Sequence, residues 1–235
     1  MLFSLSVIVP AFNEEHSIEK TLNQIIAFLS HQDFNFEVIV VDDGSTDSTN
    51  EIVARRNDVQ LVTLETNKGK GFAVKTGVLK SNNDFVLFMD ADHTIPIDYV
   101  LSFKACIKDY DLVIGSKYLN PTENYPLYRK FVGKIFSRLK YLITGLKIKD
   151  TQCGFKLFKR HVALELFNLS QIKGWCFDVE ILLLAQKKGY EVKEFPVKLS
   201  DTNVNSNISI LNSGPQMVLD LLKLRVKFKK GDYNL

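Results

Sequence analysis

Two carboxylates one residue apart, Asp90 and Asp92, close the apolar run Phe85-Val86-Leu87-Phe88-Met89. Hard divalent cations take oxygen ligands, and Mg²⁺ keeps several waters while bridging protein carboxylates to substrate phosphates. Strand periodicity sends Asp90 and Asp92 to the same side, so both can face one cation. A second pair, Asp42 and Asp43, follows the apolar run Phe36 to Val41. Carboxylates there can accept bonds from a base N–H or a ribose hydroxyl, although an Asp-Gly turn explains the pair equally well. Ligands of open α/β sheets bind at the carboxyl ends of the strands. Two acidic strand ends in one half of the chain therefore point to one shared site for a nucleotide and its metal.

Cations and turns accompany these acids. Asn67-Lys68-Gly69-Lys70-Gly71 is Gly-rich, basic and leads into a helical pattern, where backbone amides and the helix N-terminus favour phosphate. It matches neither the P-loop nor the dinucleotide-binding glycine fingerprint. The turn Val9-Pro10-Ala11-Phe12-Asn13-Glu14-Glu15 could hold the edge of a base and a ribose, but taken alone it reads better as a plain connector capped by Asn13. Lys117, in Gly115-Ser116-Lys117-Tyr118, can neutralise a diphosphate, and Arg129 can grip phosphate bidentately. Each of these is also an ordinary surface cation on its own. Asp178 and Glu180 sit among apolar and aromatic residues in Trp175-Cys176-Phe177-Asp178-Val179-Glu180. A buried acid without a partner is costly, so each should be paired or functional. His93 beside the metal pair reads as a bystander.

The elements that must position these residues alternate. Ser6–Val9, Phe36–Val41, Val59–Leu64, Phe85–Met89 and Asp111–Gly115 read as strands. Helices are predicted from Ile18, from Asp47 or Ser48, over Lys70–Lys80 and over Ile97–Lys108. Strands alternating with helices predict an α/β fold with a doubly wound, mostly parallel sheet. After Tyr118 a loop with Pro121 and Pro126 precedes a basic helix over Leu127–Ile143. Short elements follow at Phe155–Phe158, Ala163–Leu169, Trp175–Lys188 and Tyr190–Leu199. Residues 200–213 read as a mobile loop. The tail from Pro215 to Lys230 fits a helix with Met217, Leu221, Leu224 and Phe228 on one face, and its alternation also fits a strand.

Charge is distributed unevenly. The net charge is only +3, yet residues 1–116 carry 9 Lys+Arg against 17 Asp+Glu, and residues 117–160 carry 11 against 2. That asymmetry fits a metal site beside a pocket for anions, or a solvated basic helix face. The three cysteines, Cys106, Cys153 and Cys176, form no metal-ligand pattern, and their odd number argues against a disulfide framework in favour of a reducing cytosol. No run approaches the roughly 18 apolar residues of a spanning helix, and the apolar start meets Pro10 and Asn13 too early for a signal peptide.

Taken in order, VIVPAFNEE, VVDDGSTDST, NKGKGFAVKTG, MDADHT, GSKY, DTQCGFKLF and GWCFDVEIL resemble a glycosyltransferase of family 2 with the GT-A fold. Within the family the likeness is strongest to the dolichyl-phosphate β-glucosyltransferase group, then to the polyprenyl-phosphate mannosyltransferases. The resemblance runs from about Ser4 to Leu222. It implies a Rossmann-like doubly wound sheet with an acceptor-side α+β extension. Residues 1–118 would be the nucleotide-sugar and metal-binding half, 119–199 the acceptor-binding half of the same domain, and 200–235 a mobile loop and basic amphipathic helix.

The resemblance places Pro10, Ala11, Phe12, Glu14, Asp42 and Asp43 at the nucleoside, Lys70 near the diphosphate, and Asp90 and Asp92 at the metal, Mg²⁺ or Mn²⁺. Thr94 stands where mannosyl relatives often place a metal-binding Gln, and Lys117 stands where relatives often have Arg. The implied reaction is inverting transfer of a hexose from a nucleotide sugar, by likeness UDP-glucose, to polyprenyl or dolichyl phosphate. Asp92, Lys117 and Arg129 would act on the diphosphate. An anionic phosphate acceptor needs no general base, whereas a glycan or polymer hydroxyl needs one, for which Asp178 is the candidate. The acceptor implies a protein peripheral at the cytoplasmic face of a membrane, with no nucleic-acid partner. Such a protein has room for a membrane-anchored partner or a homo-oligomer. In the tail, Lys223, Arg225, Lys227, Lys229 and Lys230 would meet anionic lipid, with Leu221, Leu224 and Phe228 entering the interface. A phosphoacceptor signalling domain also combines an acidic pair, a strand-end Asp and a later Lys, but its acidic pair follows the first strand, which here ends in Pro10.

Overall fold

Four runs of mostly β-branched and aromatic residues form the parallel core of one sheet: β1 (Phe3–Ala11), β2 (Phe34–Asp42), β3 (Gln60–Thr63) and β4 (Phe85–Met89). The computed structural model describes residues 2–119, 127–200 and 210–233. Helices α1 (Ile18–Ser30), α2 (Thr49–Ala54) and α3 (Lys70–Lys80) make the crossovers that parallel pairing requires. Next come α4 (Tyr99–Cys106), β5 (Leu112–Ser116), α5 (Leu127–Thr144), β6 (Phe155–Lys159), α6 (Arg160–Leu169), α7 (Phe177–Lys187), β7 (Val192–Pro196) and α8 (Ile210–Lys230).

The seven strands lie in the order β3-β2-β1-β4-β6-β5-β7. β6 runs antiparallel to both β4 and β5, and every other pairing is parallel. The mostly parallel, doubly wound sheet expected from the alternating pattern is therefore present. The antiparallel β6 is the departure. It enters between β4 and β5, so Met89 at the end of β4 faces Phe155 at the start of β6. That register brings the loop before β6 to the carboxyl end of β4, where the Asp pair lies.

Alternate strand residues serve two cores. Ile8, Ile39, Val41, Phe88 and Ile114 face one side, with α3, α6, α7 and α8 over them. Val7, Val9, Val40, Leu87, Met89 and Val113 face the other, with α1 and α4. Both faces are covered, which is why these strands read as continuous apolar runs.

The tail is a helix, and it starts at Ile210, ahead of Pro215. Of the predicted mobile loop, residues 200–213, positions 201–209 lie outside the described residues, while positions 210–213 belong to the helix instead. Leu221 and Leu224, expected at a lipid interface, are instead fully buried against the core. Burying two leucines contributes roughly 3–6 kcal/mol, which decides the orientation of the helix. Among the described residues, Leu219, Leu222 and Val226 are exposed apolar residues of α8, spaced three and four apart.

Candidate active site

The site lies where β1, β2, β4 and β5 end on one edge. Ala11 pairs with Asp42, and Asp42 with Thr63. The connectors leaving β1 and β2 are tied together. Asn13, with φ 56°, accepts the Thr46 amide at 2.8 Å through Oδ1, and its own amide donates to Ser45 Oγ at 2.9 Å. Asn tolerates this left-handed backbone better than most residues. The Glu14 amide donates to Thr49 Oγ1 at 2.7 Å. Pro10 and Ala11 are the last residues of β1, and Phe12 beyond them is exposed, leaving an aromatic face beside the acidic pair.

Both members of that pair are buried and hold local structure. Asp42 Oδ1 accepts the Ser45 amide at 3.0 Å, and Oδ2 accepts Asn50 Nδ2 at 2.8 Å. Asp43 accepts the amides of Lys68 and Gly69, both at 2.8 Å, one on each oxygen. Asp43 thus builds the Gly-Lys-Gly loop. Its carboxyl is nevertheless held above the usual range, because burial outweighs those amides. Each oxygen keeps a further lone pair with which to accept from a ligand.

Gly69, at φ 97°, turns that loop into α3. One amide of the helix N-terminus is covered from outside the helix. The Phe72 amide donates to the Lys173 carbonyl at 3.2 Å, because the segment between α6 and α7 lies across it. The side chain of Lys70 reaches the Asp-x-Asp turn. Its Nζ is 2.6 Å from Asp90 Oδ1, 5.3 Å from the Phe88 ring centre and 4.9 Å from that of Trp175. Burial pulls the Lys70 pKa down, but Asp90 and Asp178 more than restore it, so the group stays above the ordinary lysine value and charged.

Asp90 and Asp92 do not alternate along a strand. β4 stops at Met89, the Asp90 amide donates to the Gly154 carbonyl at 3.1 Å, and Thr21 Oγ1 donates to the Ala91 carbonyl at 2.6 Å. These anchors turn the chain, so Asp90 points inward to Lys70 while Asp92 is exposed. Asp92 Oδ1 accepts the amide and hydroxyl of Thr94. Gly154 lies so close that a β-carbon there would overlap the Asp90 carboxylate. His93, at φ 49°, accepts the Ile97 amide through Nε2, closing the turn.

Acidic groups converge here. Burial first, then the charges of Asp92, Asp90 and Asp47, raise the Glu14 carboxyl above its usual range, against a lowering bond from Ser17. Among the described residues no three His, Cys, Asp or Glu side chains are spaced to enclose a metal. Two carboxylates, with water and substrate phosphate filling the remaining positions, fit Mg²⁺ or Mn²⁺ better than a closed protein cage would.

Asp178 is paired. Lys156 on β6 reaches its Oδ1 at 2.6 Å and the Cys153 carbonyl at 2.5 Å, with both side chains buried. Burial raises the Asp178 carboxyl despite Lys156 and Lys70. Sequence reading missed Lys156, whose only signal is a cation set between Phe155 and Leu157 in the strand Phe155–Lys159. The Lys117 amide donates to buried Asp150 at 3.0 Å, and its Nζ lies 3.9 Å from the same oxygen. Lys117 therefore stands at the end of β5 beside the loop that carries Gly154. Arg129 falls in the first turn of α5, and its side chain lies outside the described residues.

Residues 6–167 match the family model described as glycosyl transferase family 2. A dolichyl-phosphate beta-glucosyltransferase of Trichomonas vaginalis is 35% identical over 242 residues, covering 95% of this chain and 71% of that protein. Its counterpart in Dictyostelium discoideum is 34% identical, covering 98% and 76%. The crystal structure of glucosyl-3-phosphoglycerate synthase from Mycobacterium tuberculosis superposes with a TM-score of 0.70 at 20% identity, covering 95% of this chain and 80% of that one. A complex of the same synthase with Mn²⁺, UDP-glucose and phosphoglyceric acid gives 0.69 at 19%.

Proposed function

The chain belongs to glycosyltransferase family 2, and from that premise we propose that it moves glucose from UDP-glucose to a dolichyl-type polyprenyl phosphate in a reaction dependent on Mg²⁺ or Mn²⁺. The observation that carries this reading is the contact of Lys70 with Asp90 at the edge shared by β1, β2 and β4. It sets a cation and the metal-type carboxylates together where a diphosphate would lie. The relatives named for glucose transfer to dolichyl phosphate, similar over nearly the whole chain, supply the substrate class.

In this reading Asp90 and Asp92 hold the divalent ion, which supplies Lewis-acid charge to the diphosphate. Phe12, Glu14 and the Asp42–Asp43 turn bound the nucleoside pocket. Lys70 and Lys117 stabilise negative charge growing on the leaving UDP, and a preorganised donor of this kind is worth about 10²–10³ in rate. A phosphate oxygen of the acceptor forms the new bond to the anomeric carbon as the bond from that carbon to UDP breaks, with inversion. The nucleophile is already an anion, so no base is required. Asp178, paired with Lys156, then serves to hold the floor of the site.

Among the described residues no helix is long and apolar enough to cross a membrane, and a lipid acceptor requires contact with one. The exposed residues Leu219, Leu222 and Val226, flanked by Lys223, Arg225, Lys229 and Lys230, suit a peripheral seat on an anionic leaflet. Each cation there adds about 1 kcal/mol. We place that leaflet at the cytoplasmic face.

The test is transfer of radiolabelled glucose from UDP-glucose to dolichyl phosphate with Mn²⁺, compared with soluble glycans. Transfer to the lipid phosphate that chelation stops and Asp92→Asn cuts at least about a hundredfold supports the reading. Transfer to glycan hydroxyls alone would overturn it.

A further inference from the structure

One fully buried carboxylate takes no part in that reaction. Glu180, on α7, has no exposed surface. It accepts the Gln171 amide at 3.0 Å through Oε1 and the Ile172 amide at 2.9 Å through Oε2, and Oε1 also accepts the hydroxyl of Tyr233. Tyr233 is itself buried, with its ring stacked on Phe228 of α8 at a centroid distance of 4.5 Å. Burial and the adjacent carboxylate keep the phenol protonated well above its ordinary pKa, so it remains a donor. A buried charge is tolerated when donors surround it, and here all three donors come from outside α7.

What Glu180 grips is the segment 170–176 between α6 and α7. The other side of that segment covers the phosphate loop. The Lys173 carbonyl accepts the Phe72 amide, and a β-carbon on Gly69 or Gly71 would come within 2.6 or 2.9 Å of that same oxygen. Lys75 of α3 donates to the Ser170 carbonyl at 2.9 Å. Trp175, within the segment, lies over the Lys70 ammonium. Lys227 Nζ of α8 donates to Gln171 Oε1 at 2.6 Å, and Cys176 Sγ of the segment donates to the Met217 carbonyl of α8 at 3.3 Å.

We propose that Glu180 and Tyr233 are positioning residues for the donor: together they fix segment 170–176 so that Trp175 and the Gly69–Gly71 turn hold Lys70 against Asp90. Neither residue touches substrate. Loss of the Tyr233 hydroxyl frees one end of the segment, and Lys70 loses its fixed reach toward the diphosphate. A 1 Å misplacement at a reacting group can cost about a hundredfold in rate, which gives a contact this remote its leverage. The inference rests on the donor reading above.

Two measurements on the full chain test it. Trp175 is the only tryptophan, so its emission reports the segment directly. Calorimetric titration of UDP with Mn²⁺ reports the grip. Tyr233→Phe keeps the ring stack and removes only the hydroxyl. Tyr190→Phe is the control: Tyr190 also donates to a carboxylate, Glu165, but it precedes β7 at the opposite end of the sheet. Tyr233→Phe should shift the Trp175 emission to the red and weaken UDP–Mn²⁺ binding about tenfold, the factor that ~1.4 kcal/mol makes in an equilibrium constant. It should raise donor KM and leave acceptor KM unchanged. Tyr190→Phe should lower Tm and change neither emission nor UDP affinity. Wild-type emission and UDP affinity in Tyr233→Phe would overturn the proposal, as would equal losses in both variants. Glu180→Gln should resemble Tyr233→Phe, and if it does not fold, Tyr233→Phe alone decides. A wild-type chain that binds no UDP with Mn²⁺ or Mg²⁺ would overturn the donor reading instead, while the Trp175 emission still decides whether the strut fixes the segment.

Discussion

Gly154 has no room for a β-carbon because the carboxylate of Asp90 fills that space. The two residues also share a backbone bond, from the Asp90 amide to the Gly154 carbonyl. The loop before β6 is thus a mould for the first acid of the Asp-x-Asp turn. Gly154→Ala should push Asp90 away from Lys70. Overpacking of this kind costs about 1–3 kcal/mol of stability, and displacement of a site carboxylate costs about a hundredfold in rate. Denaturant melts and transfer assays on the same preparation check both. Full activity would show that Asp90 can take another position without loss of function.

The Lys156–Asp178 pair is the second place where substitution has a calculable sign. Lys156→Met leaves a buried carboxylate without its ammonium, which costs about 3–5 kcal/mol. Asp178 already has a raised pKa from burial, and loss of Lys156 raises it further. In the window between the unfolded and folded pKa values, the folded state then binds more protons than the unfolded state, so stability falls as pH rises. The deficit of Lys156→Met should shrink as pH is lowered from 7 toward the ordinary carboxylate range. Chemical denaturation at a series of pH values measures it. A deficit that does not change with pH would mean that Asp178 finds another partner.

These two sites show what a sequence exposes and what it hides. Asp90 and Asp92 were legible because an apolar run must end where its ladder ends, and acids at that point have few purely structural reasons to be there. Lys70 was legible as a cation after a glycine turn, and the span of α3 was read correctly at both ends. Its contact with Asp90 was not, because it depends on how far the helix stands from β4. Lys156 stayed hidden because β6 slots antiparallel between β4 and β5, a placement that no local pattern announces. In the tail, two apolar stripes compete for one core. Spacing alone marks Leu221 and Leu224 as a face, and only packing shows that this face is spent on the core while Leu222 and Val226 remain outside.

That division of α8 yields a prediction about membranes. Leu222→Glu with Lys223→Glu and Arg225→Glu should abolish flotation with anionic liposomes while UDP–Mn²⁺ binding stays intact, since these side chains are exposed. Wild-type flotation should weaken as salt rises past about 0.1 M, where the screening length is near 10 Å. Leu221→Glu should unfold the helix instead, because that residue is buried. Flotation of the triple variant equal to wild type would move the contact to another surface.

The pH dependence of transfer separates the two acceptor chemistries. A lipid phosphate carries its own nucleophilic charge. Its second ionisation lies near about pH 6, so kcat/KM for the acceptor should fall below that value along a single acid limb. A hydroxyl acceptor would need a base, and the raised carboxyl of Asp178 would then set the limb. Asp178→Asn distinguishes these cases. If Asp178 only holds Lys156, the variant loses amplitude and stability, yet its remaining activity keeps the limb in the same place, because that limb belongs to the substrate. If Asp178 is the base, the limb disappears together with the activity. Lys156 at 2.6 Å pairs with the Asp178 carboxylate, and protonating that carboxylate would break a buried ion pair in the middle of each turnover. The first outcome therefore follows from the geometry, and a pH–rate series on the variant reads it directly.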